Sequence, residues 1–368
     1  MSDIYRKRLL ELQREILKSG IDMAVLVDRE NLIYYTGLTN IECMALVVPS
    51  KGGIVCITLA MDLAFIKQKC CHLNVVGYDF PQSNLGRKLV QVIRYMGFNS
   101  PNVGFSKYFV EFSVFDALRM GLKGMEFSDI TDICYKIRSV KDESEVEYIR
   151  KASEFLKEGM EAAVSSIKPG MTEVQVLAEA QYAMQKAGSE GSTFRMQVLI
   201  QKRQLIIHPY AGNYTIDNNQ AIVIHLGASY KGYTSKMCRT IALGRVEPET
   251  RKIYNVLVEA QDKAIHALKP GISVGAVYDA VFKVISNAGY GKNFLDIAGY
   301  GVGIRQSEFY PIIKRNGDTV IDKNMVVDLL LPTIYKKSVG GPRITDVLRV
   351  REEGAELLTE FSKKMIQK

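Results

Sequence analysis

The sequence predicts two domains, an α/β domain over residues 1–136 and an α+β domain over residues 137–368. Three observations support this division. Short helical and strand patterns alternate in the first part, whereas the second part carries an internal repeat and a long β-hairpin. The chain has 368 residues, of which 47% are hydrophobic, so it can form two cores.

The first domain begins with an amphipathic helix. Apolar residues at helical spacing predict this helix over residues 4–18, and Gly20 ends it because glycine readily adopts the left-handed conformation after a last turn. Strands are then predicted at 23–27, 45–48 and 54–57. Alternating patterns continue to residue 136, which is typical of a small α/β layer domain.

The second domain contains a duplication. The segment from Lys168-Pro-Gly to Ala187-Gly188 matches the segment from Lys269-Pro-Gly to Ala288-Gly289, and both ends are offset by 101 residues. Each copy places one amphipathic helix before the Pro-Gly pair and another after it. Thr172 and Ser273 are the predicted N-caps, and a glycine follows each second helix. The repeat therefore predicts two helix pairs.

The hairpin lies between the two copies of the Pro-Gly motif. β-Branched residues predict strands over 222–226 and 233–242, arranged around Gly227 and Gly232. Side chains alternate between the faces of a strand. One face of the second strand is therefore expected to carry Thr234, Lys236, Cys238 and Thr240.

Composition restricts the class of protein. The net charge is +8 and the pI is near 9.0, but the basic residues are scattered, so nucleic-acid binding is not expected. There is no signal-type segment and no apolar run of bilayer length, which predicts a cytoplasmic protein with no membrane association. The six cysteines have no metal-finger spacing and are predicted to be reduced core thiols.

Several motifs, taken in order, resemble the creatinase, prolidase and aminopeptidase P family, which has the pita-bread fold. They are Asn31–Gly37, Ile137–Glu145, Ile207–Tyr210, the hairpin, Gly299–Gly303, Met325–Pro332 and Pro342–Asp346. The resemblance covers nearly the whole chain. It implies a creatinase-type N-terminal domain, a curved antiparallel C-terminal sheet covered by two duplicated helix pairs, and a homodimer.

Metallopeptidases of this family hold two metal ions with two Asp, one His and two Glu. At the matching positions this chain has His225, Lys236, Tyr300, Leu331 and Thr345. An ammonium group cannot ligate a cation, and Asp328 and Asp346 stand at odd offsets from the Glu positions, which predicts that they face away. The resemblance therefore implies a divergent member that lacks all five metal ligands and uses no cofactor.

Three polar residues near these positions are the catalytic candidates. His208 matches a family histidine that transfers protons or binds the substrate carbonyl. His225 is a candidate hydrogen-bonding partner of the substrate, and Glu308 is a candidate acid or base. For His208, a histidine with a purely structural role in the core is the open alternative.

Five further residues are predicted to bind substrate. Lys236, Arg305 and Arg343 are expected to hold a carboxylate, and Tyr300 is expected to polarise the scissile group. Cys238 lies two residues from Lys236, and a nearby cation would lower its pKa and favour a thiolate nucleophile. An inert, buried cysteine is the alternative at that position.

The leading functional prediction is a metal-independent hydrolase of a C–N bond in an amide, lactam, ureido or guanidino group. Its substrate would be a small anionic or zwitterionic metabolite that carries a carboxylate, with creatinase as the precedent that the resemblance supplies. Two alternatives stay open. One is a catalytically inactive pita-bread protein that binds peptides, proteins or nucleic acid, and the other is an Xaa-Pro metallopeptidase.

Overall fold

In the computed structural model, the described residues are 2–106, 110–330 and 333–368. The chain divides into two compact units, Met1–Arg138 and Ser139–Lys368. Within the described ranges, every helix is too short or too polar to cross a bilayer.

The first unit is built on a six-stranded mixed sheet in the order β4-β3-β2-β1-β5-β6. Strands β1, β2 and β3 are antiparallel neighbours, and the outer pairs are parallel. The predicted first helix is present and ends before Gly20, whose φ is +69°. The elements are α1 (Ser2–Lys18), β1 (Met23–Leu26), α2 (Arg29–Thr36), β2 (Ala45–Pro49), β3 (Val55–Leu59), α3 (Leu63–Lys69), β4 (Asn74–Tyr78), α4 (Leu85–Tyr95), β5 (Asn102–Phe105), α5 (Phe112–Gly121), β6 (Glu126–Asp129) and α6 (Thr131–Ser139).

The second unit consists of two helix pairs and two mainly antiparallel sheets, in the orders β15-β9-β8-β7 and β11-β10-β12-β13-β14. Its helices are α7 (Glu143–Ser166), α8 (Glu173–Lys186), α9 (Pro248–Ala267) and α10 (Val274–Asn287). Its strands are β7 (Gln197–Leu199), β8 (Gln220–Tyr230), β9 (Tyr233–Leu243), β10 (Ile297–Gly301), β11 (Glu308–Lys314), β12 (Val326–Leu329), β13 (Asp346–Arg351), β14 (Gly354–Leu357) and β15 (Ile366–Gln367). The predicted fold class is confirmed.

Each helix pair covers its own sheet. Helices α7 and α8 bury residues such as Met160 and Met184 against Ile224 and Met237 of the hairpin. Helices α9 and α10 form the second core with β10 to β13, in which Tyr254 is fully buried. The two sheets are joined where Cys238 and Thr345 exchange backbone hydrogen bonds, both 3.1 Å long. This junction places the middle of β9 beside the start of β13.

The duplicated turns make matching hydrogen bonds. The Gly170 N–H donates to Ile216 O and the Gly271 N–H donates to Ile321 O, each at 2.9 Å. Both glycines have positive φ, which a side chain would strain. Thr172 and Ser273 cap the helices that follow, as predicted. The two copies therefore share the same local construction.

The first residue after each cap differs between the copies. In the first copy it is Glu173, which is fully buried. Its carboxylate accepts from the N–H groups of Ile200 and Gly212, at 2.9 and 3.0 Å, and pairs with Arg203. In the second copy it is Val274, which packs in the apolar core. The carboxylate of Glu173 thus ties the segment 200–212 to the start of α8.

The hairpin is longer than predicted. Strand β8 continues through Gly227 to Tyr230, and the turn consists of Lys231 and Gly232, with φ of 49° and 78°. Gly227 was expected to border the loop, but it lies inside the strand and opposite Lys236. A Cβ there would overlap the ring of Phe194, so glycine at this position leaves room for that ring.

Candidate functional site

The candidate site lies on one face of the hairpin. His225 is directly opposite Cys238, and Gly227 is directly opposite Lys236. Residues directly opposite each other in an antiparallel pair point to the same side. His225 and Lys236 therefore lie on the same face of the hairpin.

Lys236 forms a buried ion pair in this space. Its Nζ lies 2.6 Å from Asp328 Oδ2, and both side chains are 0% exposed. Lys236 Nζ also donates to Ser307 Oγ at 3.0 Å, and Asp328 Oδ1 accepts from the backbone N–H of Tyr300 at 3.3 Å. The ammonium group is therefore held by β12 and by the segment before β11.

The prediction that Asp328 faces away from the site was wrong. It assumed strand alternation from 328 to 331, but β12 ends at Leu329 and Leu330 has φ of +65°. A left-handed residue breaks the alternation, so an odd offset no longer means the opposite face. Position 331 itself lies outside the described residues.

Burial shifts both groups of the pair toward their neutral forms. It lowers the pKa of Lys236, and the Asp328 carboxylate opposes this. It raises the pKa of Asp328 to about 6, against the opposing effects of Lys236 and of the Tyr300 N–H. Mutual attraction keeps two poorly solvated groups together.

The raised pKa of Asp328 predicts a pH dependence of stability. Because it exceeds the ordinary value of 3.8, the folded protein holds this proton more tightly than the unfolded chain does. We expect the free energy of unfolding to fall by about 2–3 kcal/mol as pH rises from about 4 to about 6. Urea unfolding across this interval measures the fall. In Asp328→Asn the fall should be absent. If the free energy of unfolding of the variant fell with pH as it does in the parent, the raised pKa of Asp328 would not be its cause.

His225 is a buried, neutral histidine. Its side chain is only 5% exposed, and its ring packs against Phe194 with centroids 4.8 Å apart. Burial lowers its pKa well below the ordinary value, and the nearby cations Lys236 and Arg343 lower it further. Its Nε2 has no hydrogen-bond partner among the described residues.

Arg343 is buried beside β7. Its Nη1 donates to Gln197 Oε1 at 2.9 Å, and its Nη2 donates to the carbonyls of Gln204 and Ile206 at 2.8 and 3.3 Å. Gln197 is the residue of β7 that pairs directly with His225. Arg343 thus lies next to His225 and holds the segment that leads to His208.

For Cys238 the sequence left two alternatives, a thiolate nucleophile and an inert, buried thiol, and its surroundings favour the second. Burial raises the pKa of its thiol to about 12, although Arg343 and Arg239 act in the opposite direction. The side chain packs in a small apolar cluster with Leu199 and Val223. Desolvation outweighs the nearby cations, so Cys238 is an inert core thiol.

The other predicted residues lie around this centre. His208 is exposed, and its carbonyl accepts from Arg195 Nη1 at 2.8 Å. Glu308 is buried at the start of β11, and its Oε1 lies 3.5 Å from the N–H of Arg305. The guanidinium of Arg305 lies over the Phe309 ring, 5.0 Å from its centroid. The catalytic and substrate-binding roles of these residues stay predictions.

Tyr300 is half buried, and burial raises the pKa of its hydroxyl. Its ring makes an edge contact with Phe309, with centroids 6.5 Å apart. Its backbone N–H, rather than its hydroxyl, makes the described contact with Asp328. The role in substrate polarisation stays a prediction.

The residues at this centre do not fit a pair of divalent cations. Among the described residues, there is no group of three or more His, Cys, Asp or Glu side chains that could hold a metal ion. Hard cations need converging oxygen ligands, and the buried carboxylate of Asp328 is already paired with an ammonium group. The donor set therefore favours anions over cations.

Sequence reasoning missed two residues of this centre. Phe194 covers His225, and Ser307 accepts from Lys236. The first had one usable signal, because Gly227 in a strand indicates a close approach of another group. Ser307 has no local signal for this contact, and only the family resemblance marks its position, where a second family histidine is replaced.

Comparison with known proteins gives a consistent relationship. Residues 147–352 match the Metallopeptidase family M24, and residues 8–140 match the Creatinase/Prolidase N-terminal domain. An Xaa-Pro dipeptidase of Pyrococcus horikoshii is 26% identical over 99% of this chain and 100% of its own length. The solved Xaa-Pro dipeptidase from Bacillus anthracis has a TM-score of 0.90 at 25% identity, covering 99% of both chains. The prolidase from Pyrococcus furiosus has a TM-score of 0.86 at 26% identity, covering 95% of this chain and 99% of its own.

These matches correct the leading functional prediction. A metal-independent C–N hydrolase of a small metabolite is wrong as the main expectation, because the relatives are Xaa-Pro dipeptidases of a metallopeptidase family. The error came from treating the altered ligand positions as a change of reaction. Overall similarity along the whole chain instead relates the protein to dipeptidases, which was the alternative.

Proposed function

The chain belongs to Metallopeptidase family M24, and on that premise we propose that it is a binding protein for Xaa-Pro dipeptides or short peptides of that type. In this proposal the chain has lost the family's metal ligands, and with them metal-dependent hydrolysis. The ligand class is supported by the names of relatives that match nearly the whole chain.

The buried Lys236–Asp328 pair is the observation that carries the proposal. An ammonium group stands at a position where the family has a ligand carboxylate, and its Nζ lies 2.6 Å from Asp328 Oδ2. A divalent cation here would meet like charge from Lys236 and would compete with it for Asp328. Both side chains are fully buried, so a cation could take this space only if the ion pair were broken.

The neighbouring positions support the same conclusion. His225 is neutral and lies beside two cations, which makes it a poor member of a metal-ligand set. Thr345 is buried, and its Oγ1 donates to the carbonyl of Leu330 at 3.1 Å. The described ligand positions are therefore occupied by groups with internal partners or by a neutral ring.

Xaa-Pro peptidase activity is the second candidate. It is favoured by the similarity to an Xaa-Pro dipeptidase that is 26% identical over 99% of this chain. It requires a metal site, which the donors among the described residues do not provide.

One experiment separates the two candidates. Ala-Pro and Gly-Pro are titrated by calorimetry against Pro-Ala and Ala-Ala, and the protein is then incubated with Ala-Pro and added Mn²⁺, Co²⁺ or Zn²⁺. We expect binding of the Xaa-Pro dipeptides, no release of proline, and no stoichiometric metal by elemental analysis. Metal-stimulated release of proline would establish the second candidate, and equal, negligible heats for all four dipeptides would overturn the proposal.

A further inference from the structure

Arg343 is a buried cation that forms no ion pair with any residue the structure describes. It is 3% exposed, and its described partners are a neutral amide, two backbone carbonyls and the Tyr335 ring, whose centroid lies 5.7 Å from the guanidinium carbon. Arg239 on the adjacent strand provides a contrast, because it is 1% exposed and its Nη2 lies 2.7 Å from Asp346 Oδ1. A buried charge without an opposite charge destabilises the fold, so binding of an anion beside Arg343 would be favourable.

Two unused hydrogen-bonding groups lie together at this point. Within the described residues, neither Arg343 Nε nor His225 Nε2 has a hydrogen-bond partner, and both atoms are buried. The two side chains are brought together by Gln197, which pairs with His225 in the sheet and accepts from Arg343. Buried polar atoms without partners are rare and usually indicate a bound water, ion or ligand.

The charges around these atoms favour an anion. Lys236 and Arg343 are close enough to lower the pKa of His225, and among the described residues Lys236 has a carboxylate partner, Asp328, whereas Arg343 has none. Neutral imidazole can present an N–H at Nε2 when Nδ1 is the acceptor, so both unused atoms can act as donors. The face of His225 is covered by Phe194, which keeps the space apolar around its donors.

We infer that Arg343 and His225 form a binding site for one small monoanion, supplied by the C-terminal carboxylate of the peptide. A carboxylate there would accept from Arg343 Nε and His225 Nε2 and neutralise the guanidinium. The peptide as the source rests on the proposed function. The preference for an anion rests only on the residues at this site.

The test compares charged and neutral probes of equal size. Sodium acetate, acetamide and sodium chloride are titrated at constant ionic strength while thermal stability and the imidazole ¹⁵N signals of His225 are followed. Ala-Pro is compared with its C-terminal amide by calorimetry. We expect acetate to stabilise the protein and shift the His225 signals, acetamide to do neither, and Ala-Pro to bind at least about tenfold more tightly than its amide.

Variants separate the site from general effects. His225→Leu removes a donor while keeping an apolar side chain in the core, and Arg343→Gln removes the charge. Each should weaken acetate binding about tenfold, which is about 1.4 kcal/mol. Matched controls are His266→Leu, at an exposed histidine, and Arg349→Gln, at a buried arginine that already pairs with Glu143. Should Arg343→Gln fail to fold, His225→Leu decides.

The outcomes distinguish this inference from the proposed function. Equal responses to acetate and acetamide overturn the anion site, even if dipeptides bind. Acetate binding that depends on His225, with no dipeptide binding, supports the anion site and overturns the proposed function. A chloride response equal to that of acetate, with Ala-Pro no better than its amide, supports the site but overturns the peptide carboxylate as its source.

Discussion

Replacement of Lys236 by methionine is expected to lower the free energy of unfolding of the second unit by about 3–5 kcal/mol. The methionine keeps most of the packing volume but leaves the Asp328 carboxylate buried without its cation, which lies 2.6 Å away. The folded variant should hold Asp328 protonated to a higher pH. Urea unfolding, with hydrogen exchange of the β8 and β9 amides as the local probe, measures the loss.

Two controls define the origin of this loss. Lys323→Met removes a lysine whose ion pair with Glu352 is exposed, and it should cost less than about 1 kcal/mol. The double variant Lys236→Met/Asp328→Leu removes both buried charges and should recover most of the lost stability. A double variant as unstable as the single one would show that the pair contributes through specific geometry rather than through compensation of charge.

Replacement of Arg239 by methionine is the second large effect, also about 3–5 kcal/mol. Its guanidinium donates to the carbonyls of Cys238, Thr345, Phe361 and Ser362 and to Asp346 Oδ1, at 2.7–3.1 Å. The variant leaves Asp346 without its cation and removes a donor from four carbonyls, of which those of Cys238 and Thr345 keep their backbone partners. The segment around residues 361–362 loses its attachment to β9, so limited proteolysis there should accelerate along with the loss of stability.

Arg351→Met is the matched control, because Arg351 makes an exposed ion pair with Glu356. It should change stability by less than about 1 kcal/mol. If Arg239→Met unfolded at the same urea concentration as the parent, the buried hydrogen bonds of Arg239 would be of little net value.

Local signals in the sequence predicted the elements well. The duplicated helix pairs follow from Pro-Gly turns, Thr172 and Ser273 caps and terminal glycines, all of which act within a few residues. The hairpin was predicted too short because Gly227 was taken as a boundary. The lack of a side chain at Gly227 leaves room for the ring of Phe194. Because Phe194 is distant in sequence, no local pattern predicts that this glycine lies inside a strand.

The candidate site was less predictable, because its chemistry depends on burial. The proximity of Lys236 to Cys238 suggested a reactive thiol, but desolvation dominates at a fully enclosed position. The partner of Lys236 was missed because Leu330 takes a left-handed conformation, and non-glycine residues give little warning of this. Among the described residues, His225 Nε2 and Arg343 Nε have no hydrogen-bond partner, which the sequence does not predict because their neighbours are distant along the chain.

The difference between Glu173 and Val274 shows how the two halves of a duplicated unit have diverged. The shared backbone bonds of the turns preserve the ancestral scaffold in both halves. In the first half, the carboxylate of Glu173 also holds the segment 200–212, which contains His208. An apolar residue at 173 would remove its contacts with Ile200, Gly212 and Arg203 together. In the second half, Val274 has only packing to satisfy. Few residue types should therefore be accepted at position 173, where a carboxylate with three partners is required. Many apolar residues should be accepted at position 274, where only packing is required.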